Sequence, residues 1–192
     1  MRNVALVQHY QHLQNRELFT MSNNRFQFEL AESAAEIQGY FALRRAIFCE
    51  EQGIFAGHDF DETDQFAYPI VALDTETPGK PTVVGAVRIY ENEPNVWYGG
   101  RLGVHQNYRR VGRIGKGLIY KAVTAAHGWG CTKFFATVQL QNVRFFQRQH
   151  WHSLQEIEIC DRPHHLMEAD LDFYPPVVYS RPKLDLALLQ VS

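Results

Sequence analysis

The residues best suited to chemistry are concentrated in one stretch, YGGRLGVHQNYRRVGRIGKGLIYKAVTAA, at positions 98–126. An extended segment there runs through a basic, glycine-punctuated turn into an amphipathic helix. Gly112 and Gly115 lack the Cβ atoms that would hold a diphosphate off the backbone, and the first N–H groups of a helix have no intrahelical acceptors. The partial positive charge of the helix start, with Arg109, Arg110, Arg113 and Lys116 as countercharge, makes an anion site suited to a phosphorylated cofactor. The spacing G-x-x-G-x-G is neither a Walker A loop nor the G-x-G-x-x-G dinucleotide fingerprint. A formal charge of −2 over 192 residues is unlike that of a nucleic-acid-binding domain, so the basic cluster is a local feature.

The elements that must position this turn are legible on both sides of it. RFQFEL alternates as an opening strand, and Ser33 caps a helix with Ile37, Phe41, Leu43 and Ile47 on one face. The acidic, aromatic FAGHDFDETDQFAY reads as a loop or short irregular helix. YPIVALD and TVVGAVRIY read as strands joined by the Pro78-Gly79 turn. VWYGGRLGV follows, its double glycine signalling a bulge or a close backbone approach. Gly117 inside the helix suggests close packing or the approach of a ligand. After the helix come the strand KFFATVQL, the short helix QNVRFFQRQHW, and closing strands LQEIEI and HLMEADLDF.

This order resembles the acetyl-CoA core of the GNAT N-acetyltransferases. The family's pyrophosphate loop reads Q/R-x-x-G-x-G/A; RVGRIG at 110–115 supplies its first Arg and last Gly, with Arg113 at the usual middle Gly. Arg109, Val111 and Gly112 offer a shifted register. Upstream, LRRAIFCEEQGIF followed by DFDETD is similar to one subgroup's LR-x-x-VF-x-x-EQ segment, and RPHHLMEADL resembles its Pro-His-x-x-Met closing strand. WYGGRLGV, VQLQNVRFF and PHHLMEADL also look like a bacterial branch encoded beside nitrilases, the nitrogen-starvation or nitrile-utilisation acetyltransferases. The likeness spans residues 26–171. It implies an α/β fold with a mixed, twisted sheet of about six to seven strands, about four helices and splayed central strands.

The resemblance further implies acetyl-CoA as cosubstrate, with Leu102, Gly103 and Val104 as backbone contacts to its pantetheine arm. The loop Arg109, Arg110, Val111, Gly112, Arg113, Ile114, Gly115 and Lys116 would hold the diphosphate, and Asn142, Phe145 and Phe146 would border the arm. Attack of an amine on the thioester needs a base, oxyanion donors and an acid for the thiolate. Backbone N–H at Gly103 or Val104 serves the second need. Glu50, Glu51, His105 and His164 are the base candidates, with Glu51 first by resemblance. The family's usual helix Tyr, in FY-x-x-x-GF, is Phe146 here, which leaves Tyr98, Tyr108, His150 or water as the acid, or none. Cys49 is a further nucleophile candidate. Asp59, Asp61, Glu62 and Asp64 would either attract a cationic acceptor or form a solvated loop.

Length fits one domain: an extension at 1–24, with Met21 an alternative start, a domain at 25–174 and a proline-broken tail at 175–192 that packs over the core or supports a homodimer. The cysteines Cys49, Cys131 and Cys160 form no CxxC pair, and adjacent His164 and His165 cannot share one face of a strand, so neither a disulfide nor a metal is expected. With no signal core or spanning segment, a cytoplasmic protein without membrane or nucleic-acid partners is expected. Beside the leading reading, a small-amine N-acetyltransferase, stand a catalytically silent CoA-binding regulatory module and an acyl-homoserine-lactone-type synthase.

Overall fold

The structure, a computed structural model, describes residues 25–159, 162–178 and 180–182. The extension at 1–24, Cys160 and residues 183–192 lie outside the described residues. Seven strands form one sheet in the order β1-β2-β3-β4-β5-β7-β6: β1 Phe26–Leu30, β2 Tyr68–Asp74, β3 Thr82–Glu93, β4 Val96–Val104, β5 Lys133–Gln139, β6 Trp151–Ile159 and β7 Arg162–Ala169. Neighbours are antiparallel except β4 and β5, whose parallel pairing is made by the crossover helix α2, Arg113–Gly128. This is the mixed, splayed sheet expected from the sequence.

Helix α1, Ala34–Arg44, starts at a capping box: Ser33 accepts from the Glu36 N–H and the Glu36 carboxylate accepts from the Ser33 N–H. The same helix continues as a π-helical turn, Arg45–Glu51, which carries the CEE residues. Ile37, Tyr40, Leu43, Ile47 and Phe48 pack on one sheet face against Val71, Leu73 and Ala86. Helix α2 covers the other face, burying Ile114, Leu118 and Val123 with Ile70, Ile89, Trp97, Phe134 and Met167. β2 and the middle of β3 are covered on both faces and read as continuous apolar runs, whereas β5 alternates.

Gly117 brings α2 down onto β1. A Cβ there would run into the Phe28 ring. Gly117→Ala gains about 1 kcal/mol of helix propensity but overpacks this contact at a cost of roughly 1–3 kcal/mol. A lower urea midpoint is the expected result, and an equal or higher midpoint would remove the close-packing role.

Boundaries near the C-terminus differ from the sequence reading: the short helix is confined to Val143–Gln147, so Trp151, read as its end, instead opens β6 three residues before LQEIEI. The closing strand begins at Arg162 and stops at Ala169, because Asp170 accepts from the Asp172 N–H and turns the chain, with backbone bonds from Phe173 to Asp170 and from Tyr174 to Leu171. The described part of the tail then packs on the core. Val177 N–H donates to Thr124 O, and Arg181 lies 4.9 Å over the Trp97 ring while pairing with Glu91 at 2.8 Å.

Candidate functional site

The parallel pairing of β4 with β5 runs from Val96↔Lys133 to Gly99↔Ala136 and then stops, although β4 continues to Val104 and β5 to Gln139. A gap therefore opens beside residues 100–104, leaving that edge of β4 without a strand partner among the described residues. A bulge sits at its start: Arg88 pairs with Gly100 but Ala86 pairs with Gly103, so β4 carries one extra residue. The double glycine pointed to this bulge, yet the residue with positive φ is Arg101, at 54°. His105 N–H donates to Val84 O of β3. By the alternation of an extended strand, the Val104 N–H and C=O then face the gap. Gly103 faces the π-helical turn, where an added Cβ would meet Ile47 at 2.8 Å.

Directly after β4, a 3-10 turn, Gln106–Val111, delivers the chain to α2. Gly112 is the N-cap of α2 at φ 52°, a left-handed conformation that favours glycine, and it offers no side-chain cap bond. The orphan N–H groups of the first turn, residues 113–116, therefore have no cap to satisfy them. The turn's four cations divide. Arg109 donates to both Glu51 oxygens at 2.6 Å and to Val104 O at 3.0 Å. Arg113 lies 5.8 Å over the Phe26 ring. Arg110, Arg113 and Lys116 are exposed, with no carboxylate partner among the described residues.

Helix α3, Val143–Gln147, closes the other side. Asn142 is its N-cap residue, exposed and making no cap bond, and Phe145 approaches Gly115 so that a Cβ there would meet its ring at 3.3 Å. Phe146 is buried, edge-on to Trp151 at 5.1 Å, and belongs to the core. His150 takes a left-handed φ of 62° where the family phrase has Gly, and stacks on Phe173 at 3.7 Å.

The proton-transfer candidates are sorted by their partners. Hydrogen bonding by Arg109, with its charge, holds the Glu51 carboxyl below the ordinary range. Glu50 is exposed and 3.5 Å from Arg45. His105 Nδ1 accepts from the Asn107 N–H, and the Tyr108 hydroxyl donates to Asp74 at 2.9 Å. Burial pushes the Cys49 thiol up, away from a thiolate. Tyr98 stacks on Tyr90 at 5.8 Å and tilts against Phe135 at 5.4 Å, one residue before the last β4–β5 pair. His164 pairs across β7 with Gln139 at the end of β5, and its Nδ1 lies 2.8 Å from Arg162 O. A carbonyl accepts only, so Nδ1 carries a proton, and Nε2 is the nitrogen left to act as a base in the neutral ring. Gln139 also donates to Gln52 at 3.4 Å, tying the end of the π-helical turn to the gap. Gln52 was not singled out by sequence; the EQ phrase was the signal.

The acid-rich loop is not a free anionic surface, because three of its carboxylates are paired. Arg44, fully buried, binds Asp59 at 2.7 Å and Asp64 at 2.6 Å, while Asp61 binds Arg88 at 2.6 Å and Arg101 at 3.0 Å. Three carboxylates are thus matched by three guanidinium groups, leaving Glu62 as the exposed acid of the cluster. Sequence reasoning missed this because the arginines come from α1, β3 and β4.

A seven-stranded mixed sheet, a gap between parallel central strands and an uncapped basic helix start together define an acyl-CoA N-acyltransferase architecture. The model of the acetyltransferase (GNAT) family matches residues 38–151, and the chain belongs to that family, an acetyltransferase class that uses acetyl-CoA. It is 30% identical over 146 residues to the uncharacterized N-acetyltransferase YjcF of Bacillus subtilis, covering 73% of this chain and 97% of that protein. Among solved structures, a putative N-acetyltransferase from Lactobacillus plantarum superposes with a TM-score of 0.66 at 25% identity, covering 76% of this chain and 98% of the other. Escherichia coli ElaA shares the fold, with a TM-score of 0.63 at 21% identity over 76% of this chain and 98% of its own.

Proposed function

We propose that this chain transfers the acetyl group of acetyl-CoA to a small amine or amino-acid-like acceptor by direct attack of the amine nitrogen. The carrying observation is that the unpaired edge of β4, residues 100–104, leads straight into the uncapped N-terminus of α2. The residues fit the cofactor. An extended arm bearing amides suits an unpaired strand edge, and a diphosphate suits the first-turn N–H groups of α2 with Arg110 and Lys116 as countercharge. Asn142 and Phe145 border the same end of the gap. When bound, the thioester supplies an activated acetyl carbonyl; the chain's own groups hold it and move protons.

The Val104 N–H is the donor for the developing oxyanion, a role that sequence left between Gly103 and Val104. His164 Nε2 is the base we favour, since the Glu51 lone pairs are engaged by Arg109. Glu51 then acts as a strap joining the π-helical turn to the loop. Tyr98 is the acid candidate nearest the gap. His164→Gln should lower kcat by about 100-fold at neutral pH with acetyl-CoA affinity nearly unchanged. An unaltered kcat would remove His164 from the role, and a comparable loss in Glu51→Gln would return it to Glu51.

The burial of Phe146 where the family's usual tyrosine stands favours one second reading, a CoA-binding module without turnover. Calorimetric titration with acetyl-CoA followed by thiol release over a panel of amines separates the two. Tight binding with no turnover on any amine would support the module, and no binding would defeat both. The phrases WYGGRLGV, VQLQNVRFF and PHHLMEADL support a finer placement in the nitrile-utilisation branch, as a cytoplasmic enzyme of nitrogen metabolism.

A further inference from the structure

Arg101 combines two features that neither the anion loop nor the proton-transfer groups explain. It holds a left-handed backbone, φ 54°, that costs a non-glycine residue free energy and persists only where its surroundings over-determine it. Its side chain is also heavily anchored. Nε donates to Asp59 Oδ2 at 3.0 Å, and Nη2 donates to Asp59 O at 3.2 Å and to Asp61 Oδ2 at 3.0 Å, with the guanidinium 4.4 Å over the Phe55 ring. Those partners are themselves fixed: Asp59 by Arg44 of α1, and Asp61 by Arg88 of β3. The anchor therefore has rigid elements behind it.

The bulge at Arg101 decides which backbone groups of β4 face the gap. One extra residue reverses the alternation of a strand. With the bulge, Leu102 and Val104 pack toward the α2 core, Gly103 faces Ile47, and the Val104 N–H and C=O face β5. Without it, Leu102 would be driven at the π-helical turn and the backbone groups facing the gap would change places with those facing β3.

We infer that Arg101 is a positioning residue for acyl transfer, its Asp59 and Asp61 contacts holding β4 in the bulge that presents the Val104 backbone to the gap. This rests on the reading of the gap as the acetyl-CoA site. The acidic loop thereby locks the cofactor strand to α1, the helix whose π-helical continuation carries Glu51.

Arg101→Gly is the discriminating variant, because glycine accepts the left-handed conformation while the anchor is lost. Asp59 keeps Arg44 and Asp61 keeps Arg88, so no buried carboxylate is stranded and the melting temperature should stay close to that of the wild type. We expect kcat to fall at least about tenfold and acetyl-CoA to bind several-fold more weakly, with the CoA-induced shift of the Val104 amide resonance diminished. Arg101→Lys, retaining charge without the fork, should recover part of the loss. Wild-type affinity, kcat and amide shift in Arg101→Gly would overturn the inference while leaving the proposed function standing. Failure of the wild type itself to bind acetyl-CoA would instead overturn that function. Should Arg101→Gly show no cooperative unfolding, Asp61→Asn decides: it removes one Arg101 partner while Arg88 retains Asp64 at 3.0 Å, and unchanged kcat and affinity there would count against positioning.

Discussion

Gly115→Glu should abolish acetyl-CoA binding, raising the dissociation constant at least about 100-fold, while the folded protein keeps nearly its full stability. Both halves follow from position. Gly115 is the third residue of α2, counting from Arg113 after the Gly112 cap. A glutamate there is favourable for the helix itself, since a carboxylate near an N-terminus gains about 0.3–1 kcal/mol from the macrodipole and can reach back to the cap N–H. The only steric demand is on the Phe145 ring, 3.3 Å from the added Cβ. The same carboxylate, however, occupies the N–H groups proposed for the diphosphate and repels it, cancelling the contribution of Arg110 and Lys116. Gly115→Ala tests the added Cβ without the charge and should bind acetyl-CoA more weakly than the wild type but far more tightly than Gly115→Glu. Titration calorimetry beside a thermal melt reads both quantities. Unchanged affinity in Gly115→Glu would remove the anion site from the start of α2.

Arg44→Ala should produce the largest loss of stability, roughly 3–5 kcal/mol, or about 6–20 °C in melting temperature for a chain of this size. Arg44 is fully buried and supplies Asp59 and Asp64 with their closest cations, at 2.7 and 2.6 Å. Its removal leaves two buried carboxylates short of countercharge, with Arg88 and Arg101 as the remaining cations. The pH dependence gives an independent signature. Burial alone would raise the Asp64 carboxyl, but hydrogen bonds from Arg44 and the charges of Arg44 and Arg88 outweigh it and hold the group below its ordinary value. The Asp61 carboxyl is lowered likewise, its burial outweighed by Arg88 hydrogen bonding and by the Arg88, Arg101 and Arg44 charges. A carboxyl lowered in the folded state stabilises above its unfolded pKa, about 3.9 for Asp, and loses that contribution as pH falls through the folded value. Wild-type stability should therefore drop on acidification below about pH 4, and Arg44→Ala should show a shallower drop. Urea midpoints at several pH values measure this; coincident curves for the two proteins would show that the network contributes nothing.

Much of the architecture was legible because it rests on local rules. The cap at Ser33, the alternation in RFQFEL, the short apolar run YPIVALD and the Pro78-Gly79 turn each act over a few residues, and each lies where the sequence puts it. The end of the closing strand was not legible, because Asp170 turns the chain through its own side chain, a signal hidden in an apolar-looking DLDF. The loop and both sides of the gap were recognisable as motifs. The partners of the site's charges were not: Glu51 finds Arg109 across 58 residues, and Asp61 finds Arg101 across 40. Such pairings have no period and no spacing that a linear reading can detect.

By itself, then, the amino-acid sequence determined the family, the order of strands and helices, and the glycine-rich basic start of α2, since each is written in contiguous residues. Only the tertiary structure decided which of its charges remain available. Four basic residues around the turn looked equivalent, yet packing commits Arg109 to Glu51, leaving Arg110, Lys116 and Arg113, the last over the Phe26 ring. A run of acids looked like either a lure for cations or a solvated loop, yet folding brings three arginines to it from separate elements. For the acids the physical reason is burial: a charge taken out of water is tolerated only beside its opposite, and the opposites come from separate elements of the fold. Arg109 and Glu51 stay exposed and meet because the loop after β4 and the π-helical turn lie side by side, which no spacing along the chain records.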